Sequence, residues 1–153
     1  MVTTAEKAAA ASAYVLPLLD GFPYGVYVYQ NVEPVGNVAF SLLPYVNAFQ
    51  SLPFAGLILF FGLSFFTRNQ GLSRFVRFNI QQALILDITL LIPGFFGSSA
   101  NMFPDFLQAM GSNFVFYLCI LVVGYSWASI ATGSTPDRVP IISEAASQQI
   151  GPF

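Results

Sequence analysis

The run Asn113–Thr132, NFVFYLCILVVGYSWASIAT, holds no Asp, Glu, Lys or Arg and no proline. One bilayer crossing takes about 20 mainly apolar residues. In lipid, only a helix or a closed barrel pairs every backbone N–H and C=O. Leu52–Thr67 is a second uncharged stretch and ends against Arg68, and Phe78–Phe96 is apolar apart from Asn79, Gln81, Gln82, Asp87 and Thr89. A water-soluble domain carries roughly a quarter charged residues, whereas this chain has 8%. That is too little charge to cover a solvated surface, and the aromatic content of 16% excludes a disordered chain. The fold class is therefore an all-α integral membrane protein.

Four transmembrane helices are expected in a single membrane domain covering 1–153, at roughly 9–28, 52–67, 76–96 and 113–133, followed by a short soluble tail, 134–153. The first span contains Pro17, Asp20, Gly21, Pro23 and Gly25, which predicts a break near Asp20. Between Glu33 and Arg68 the uncharged stretch is longer than one span requires. Its surplus, near 38–51, mixes Phe40, Leu42, Leu43, Tyr45, Val46 and Phe49 with Ser41, Pro44, Asn47 and Gln50. This predicts an amphipathic or re-entrant helix at the interface. With four spans, Lys7, Arg68, Arg74, Arg77 and Arg138 all fall on one side. Glu33 and Asp105 fall on the other, with Asp20 a further candidate there. The positive-inside rule then puts both termini and the Arg loop on the cytoplasmic or equivalent side. Met1–Ala11 has no cleavage-type apolar core, so no targeting peptide is expected in it, and Gly97–Gly111 is expected to be a short polar loop.

The chemistry-bearing residues are few. The chain has no histidine, which removes the commonest general base and metal ligand. Its lone lysine, Lys7, lies outside the spans, no metal-ligand spacing or phosphate-binding glycine loop is present, and no basic run suggests nucleic acid. No catalytic residue, metal or cofactor is expected, and the enzyme reading is rejected. Cys119 is expected as a small buried hydrophobe and Trp127 as an interface anchor. Asp87 sits near the middle of the third span, where a carboxylate costs about 2.5–3.5 kcal/mol on insertion scales. Asn79, Gln82 and Asp87 share an arc of roughly 160° on a helical wheel. They are candidates either for a translocation path or for helix packing, since interhelical hydrogen bonds contribute about 0.6 kcal/mol each. Arg68, Arg74 and Arg77 are candidates for setting topology or docking a partner. Gly124 and Ala128 form a small-xxx-small pair suited to helix packing.

Arg74-Phe75-Val76-Arg77-Phe78-Asn79-Ile80-Gln81-Gln82-Ala83, with Leu86-Asp87 after it, resembles the signature of the Tic-twenty family. That family is the twenty-kilodalton membrane component of the translocon at the chloroplast inner envelope, with cyanobacterial relatives. Ala13-Tyr14-Val15-Leu16-Pro17, Asp20-Gly21, Tyr24-Gly25, Phe60-Phe61-Gly62, Gly124-Tyr125 and Pro140 to Ile150 agree in order. The resemblance implies four spans in the plastid inner envelope membrane with both termini in the stroma. It further implies a hetero-oligomeric complex with other translocon membrane subunits, through which preproteins pass, with this chain as channel component or scaffold. Two other classes stay open. One is an accessory structural or pigment-associated subunit of a photosynthetic membrane complex. The other is a small-solute or lipid transporter using Asp87 as a proton or ion site.

Overall fold

A computed structural model describes residues 2–97 and 102–151, and among them every regular element is helical. Residues 98–101 of the expected Gly97–Gly111 loop, and the last two residues of the expected tail, lie outside the described residues. The chain opens with α1 (Thr4–Ser12). Its start is fixed by a capping box in which the Glu6 N–H donates to Thr3 Oγ1 at 3.2 Å and the Thr3 N–H to Glu6 Oε2 at 2.7 Å. Then come α2 (Val15–Gly21), a 3-10 turn over Phe22–Gly25, and α3 (Val26–Asn31). The interruption expected near Asp20 falls at this turn, where Pro23 has no N–H to offer a continuing helix. A second interruption, at Ala13–Tyr14, has no proline or glycine to announce it. Pro17 is accommodated because it lies in the first turn of α2, where N–H groups lack intrahelical partners.

Helix α4 (Glu33–Ser51) is longer than the amphipathic segment expected at 38–51, and α5 (Ala55–Thr67) is shorter than a crossing. At 1.5 Å per residue, α5 reaches only about 20 Å, against about 30 Å of hydrocarbon. The two helices meet at an 83° bend and have the length and polarity of a span only when joined. The bend turns on Phe54, which is held in the left-handed region at φ 62° without being glycine. Such an elbow is the form a re-entrant or broken span takes.

Helices α6 (Arg74–Gly97) and α7 (Asp105–Thr132) are each long and apolar enough to cross a bilayer alone. The start of α7 lies eight residues before the expected 113. Pro104 provides the N-cap backbone, and Asp105 places a carboxylate at the positive end of the helix. The residues read as polar loop are thus partly the first turns of a helix about 42 Å long. At the other end Gly133 takes φ 79°, its N–H reaching the Ser129 and Ile130 carbonyls. The segment expected as a free tail folds back: α8 (Ile142–Ile150) buries Ile142, Ser143, Ala146 and Ile150, packing Ala146 and Ile150 on Phe78.

Helix α6 is the axis of the bundle and touches α1, α2, α5, α7 and α8. Its core partners include Tyr14, Leu16, Cys119 and Val123, all at most 2% exposed. One close approach depends on glycine: a Cβ on Gly21 would lie 2.8 Å from Cys119 Sγ, so α2 meets α7 backbone to side chain. There the thiol donates to the Pro17 carbonyl at 3.4 Å. Elsewhere the surface is strongly apolar, with Phe54, Phe61, Phe65, Phe114 and Leu121 among many exposed large side chains. In water such a surface would be an aggregation hazard, whereas in lipid it is the expected exterior.

Candidate functional site

Four polar residues of α6, namely Arg77, Asn79, Gln82 and Asp87, are buried. At the first turn, Arg77 is only 7% exposed. Its Nε donates to the Thr67 carbonyl at 3.0 Å and its Nη2 to the Ile150 carbonyl at 2.8 Å. Those carbonyls end α5 and α8, where the partial negative charge of each helix gathers, so one guanidinium holds two helix C-termini. Lys7 does the same for α7, donating from Nζ to the Ala131 carbonyl at 2.8 Å. Arg68 and Arg74 remain exposed. The arginines grouped by sequence position therefore divide: two face outward, while Arg77 is covered and out of reach of a docking protein.

One turn deeper, Asn79 is wholly buried. Its Nδ2 donates to the Phe75 carbonyl at 2.8 Å, and its Oδ1 accepts from the Tyr14 hydroxyl at 3.2 Å. Gln82, also wholly buried, links three helices. Its Nε2 donates to Ser126 Oγ at 3.3 Å on α7, while its Oε1 lies 3.2 Å from the Ser143 hydroxyl on α8. That hydroxyl lies between Gln82 Oε1 and the Pro136 carbonyl, 2.8 Å away, and accepts from the Val139 N–H. Every side-chain polar group of Asn79 and Gln82 is close to satisfied by protein, which is the arrangement of interhelical packing groups.

Asp87 differs. It is 3% exposed, and its Oδ1 has no hydrogen-bond partner among the described residues. Asp20, on α2, shares its surroundings. The two border a cavity of about 590 Å³ under the α4–α5 elbow, whose other walls include Phe49, Leu52, Phe54, Phe60, Phe61, Ile88 and Leu91. Asp20 is thus no far-side loop charge but the neighbour of Asp87 inside the bundle. Sequence reasoning had the signal for this pairing: these are the carboxylates inside the predicted spans, and intramembrane charges turn inward toward one another. Ile88, on the apolar side of the helical wheel, borders the same cavity because α5 stands against that side of α6.

Gly124 and Ala128 are exposed on α7, and a Cβ on Gly124 would meet nothing within 4 Å. Close packing within the described chain does not use them. Ser126, between them in sequence but on the inner face, is the wholly buried partner of Gln82. Tyr14, Ser126 and Ser143 are three of the five side chains of this network, and nothing in their spacing marked them as partners of Asn79 and Gln82.

The family profile described as "Chloroplast import apparatus Tic20-like" matches residues 7–146, which contain Asp20, Arg77, Asn79, Gln82 and Asp87. Protein TIC 20-v, chloroplastic, of Arabidopsis thaliana is 34% identical over 155 aligned positions, covering 97% of this chain and 73% of that protein. Protein TIC 20-II, chloroplastic, of the same plant is 30% identical, covering 95% of this chain and 72% of the relative. A Tic20 family protein of Synechocystis is 30% identical over 92% of this chain and 89% of its own length.

Proposed function

The chain belongs to the Tic20-like chloroplast import apparatus family, and from that premise we propose that it is a membrane subunit of a protein-import translocon. In this reading it sits in the plastid inner envelope membrane beside other translocon subunits, with four crossings and both termini in the stroma. The first crossing is the run of short helices over roughly 9–28, the second the bent pair α4–α5, and the third and fourth are α6 and α7. Lys7 at the C-terminal end of α7 and Arg77 at those of α5 and α8 support that orientation. Relatives named chloroplastic support the compartment.

Within the translocon the chain acts as wall and scaffold, not as a pore enclosed by one copy. The observation that carries this is the filled interior: Tyr14, Asn79, Gln82, Leu86 and Ser126 are wholly buried between α2, α6 and α7. An extended polypeptide is about as wide as the 10 Å spacing of packed β layers, and no such gap runs among these side chains. The side facing a substrate is instead the α4–α5 elbow with its lateral cavity, where Asp87 is the candidate path residue. Asn79 and Gln82 serve as packing groups, Arg68 and Arg74 as topology or docking charges, and the exposed Gly124–Ala128 ridge as a seam for another subunit.

The test is affinity purification of a tagged preprotein arrested during import into intact plastids, after mild crosslinking. This chain is expected in the eluate at a level that follows the amount of arrested preprotein. Its absence there, with recovery in photosynthetic complexes carrying stoichiometric pigment, would replace this reading with the accessory-subunit one.

A further inference from the structure

Two carboxyl groups bordering one mostly apolar cavity either share a proton or hold a cation between them. Asp20 and Asp87 are such a pair. Asp87 Oδ1, buried and without a hydrogen-bond partner among the described residues, leaves acceptor capacity unused. The cavity beside the pair, about 590 Å³, lies within the range of sites that hold small organic groups, roughly 300–1,000 Å³.

The walls decide which cation fits. A hard metal ion takes six or more oxygens. Of the described side chains around this cavity, only Asp20, Asp87 and Gln50 carry oxygen. Among the described residues no group of three or more acidic, histidine or cysteine side chains could hold a metal. The remaining walls are aromatic and aliphatic, with Phe49, Phe54, Phe60 and Phe61 around the carboxyl pair. Such surroundings suit a cation on an apolar stem, whose methylenes lie on the rings while its head reaches the carboxylates.

We propose that the Asp20–Asp87 cavity binds a single basic side chain, lysine or arginine, of a polypeptide lying against α5 and α6. The inference rests on the translocon reading and names the chemistry that its substrate-facing side recognises. Plastid import signals are basic and poor in acidic residues, so a carboxylate pair on the wall of their path selects for them and holds each basic residue briefly.

The experiment uses the full chain in phosphatidylcholine vesicles, with photoreactive benzoylphenylalanine replacing Phe61. The probes are two 20-residue Ser/Ala peptides that differ at one central position, lysine in one and norleucine in the other. The lysine peptide is expected to crosslink at least tenfold more than the norleucine peptide. Asp20→Asn with Asp87→Asn, which keeps both shapes, is expected to remove that preference. Because loss of the pair could also disturb packing, Gly56→Lys provides a second arm. A Cβ there lies 3.9 Å from Asp20 Oδ2, so the new ammonium can occupy the site from within. This variant keeps both carboxylates and is expected to block the lysine peptide.

Equal crosslinking of the two peptides would overturn the inference and leave the translocon reading standing. Persistence of the lysine preference in both the Asn and the Gly56→Lys variants would overturn it equally. Crosslinking of neither peptide would also overturn it, and the preprotein purification described above then tells separately whether the translocon reading falls with it.

Discussion

Arg77 shows how a residue read as a surface charge can be structural. Its buried guanidinium ends α5 and α8 together, so its loss leaves two helix-end carbonyls without a donor. Arg77→Met is expected to destabilise the fold by about 2–4 kcal/mol, on the scale of one to two kcal/mol per orphaned group. Arg77→Lys should restore only part, because an ammonium does not match the planar two-donor fork. Denaturant titration in detergent micelles checks both, and wild-type stability for Arg77→Met would refute the double-cap role. Glu6 gives a pH-dependent counterpart. Its carboxyl is pulled from the ordinary 4.5 to about 2, chiefly by a hydrogen bond from Ser73, then by the Thr3 N–H and hydroxyl. A carboxyl with a lowered folded value stabilises above its unfolded value and loses that contribution as pH falls from about 4.5 toward 2. Loosening of α1 measured by hydrogen exchange across that window should therefore appear in the wild type and vanish in Glu6→Gln. Equal pH dependence in both would show that Glu6 does not tie α1 down. The Arg-Phe-Asn-Gln-Gln block was legible as a cluster of unusual polar residues in an apolar helix. Which of them are satisfied was not, because the partners Tyr14, Ser126 and Ser143 come from other helices and have no marked spacing.

At the scale of elements, the runs read at 76–96 and 113–133 fall on the long helices α6 and α7, although α7 begins eight residues earlier. Hydropathy was less informative for α4 and α5, whose combined uncharged length announced a surplus but not the elbow at Phe54. It did not foresee α8: only four of that helix's residues are buried, and its sequence is as polar as a solvated tail. The corner between α3 and α4 depends on one close contact. A Cβ on Gly36 would lie 2.3 Å from the Tyr29 carbonyl oxygen, a backbone atom that cannot swing aside. Gly36→Ala is expected to push α4 from α3 and weaken the edge-to-face pair of Tyr29 with Phe116, now 5.4 Å apart. The cost should be about 1–3 kcal/mol, as for overpacking elsewhere. Hydrogen exchange should then speed up roughly tenfold or more over 26–40 while α6 is unchanged. Unchanged exchange at 26–40 would mean that the corner is looser than described. By contrast, Gly124→Leu meets open space and should leave the fold of one chain intact while weakening its association with other subunits. Undiminished co-purification would remove the ridge as a seam.

For the whole molecule, low charge and apolar runs already required lipid, and the order of motifs pointed to the import family. What the sequence could not convey was the division of α6 into a sealed side and an open one. That division depends on where α5 and α7 stand, and Ile88 and Asp87, adjacent in sequence, border one cavity for this reason. The sealed interior and lateral cavity together make the account's central claim, that substrate passes along the elbow and not through the middle of one chain. Photocrosslinking to a preprotein arrested in intact plastids, with probes at Phe61 and at Gln82, tests it most directly. Crosslinks from Phe61 and none from Gln82 are predicted, whereas strong crosslinks from Gln82 would mean that the buried network opens into a path and would contradict the account.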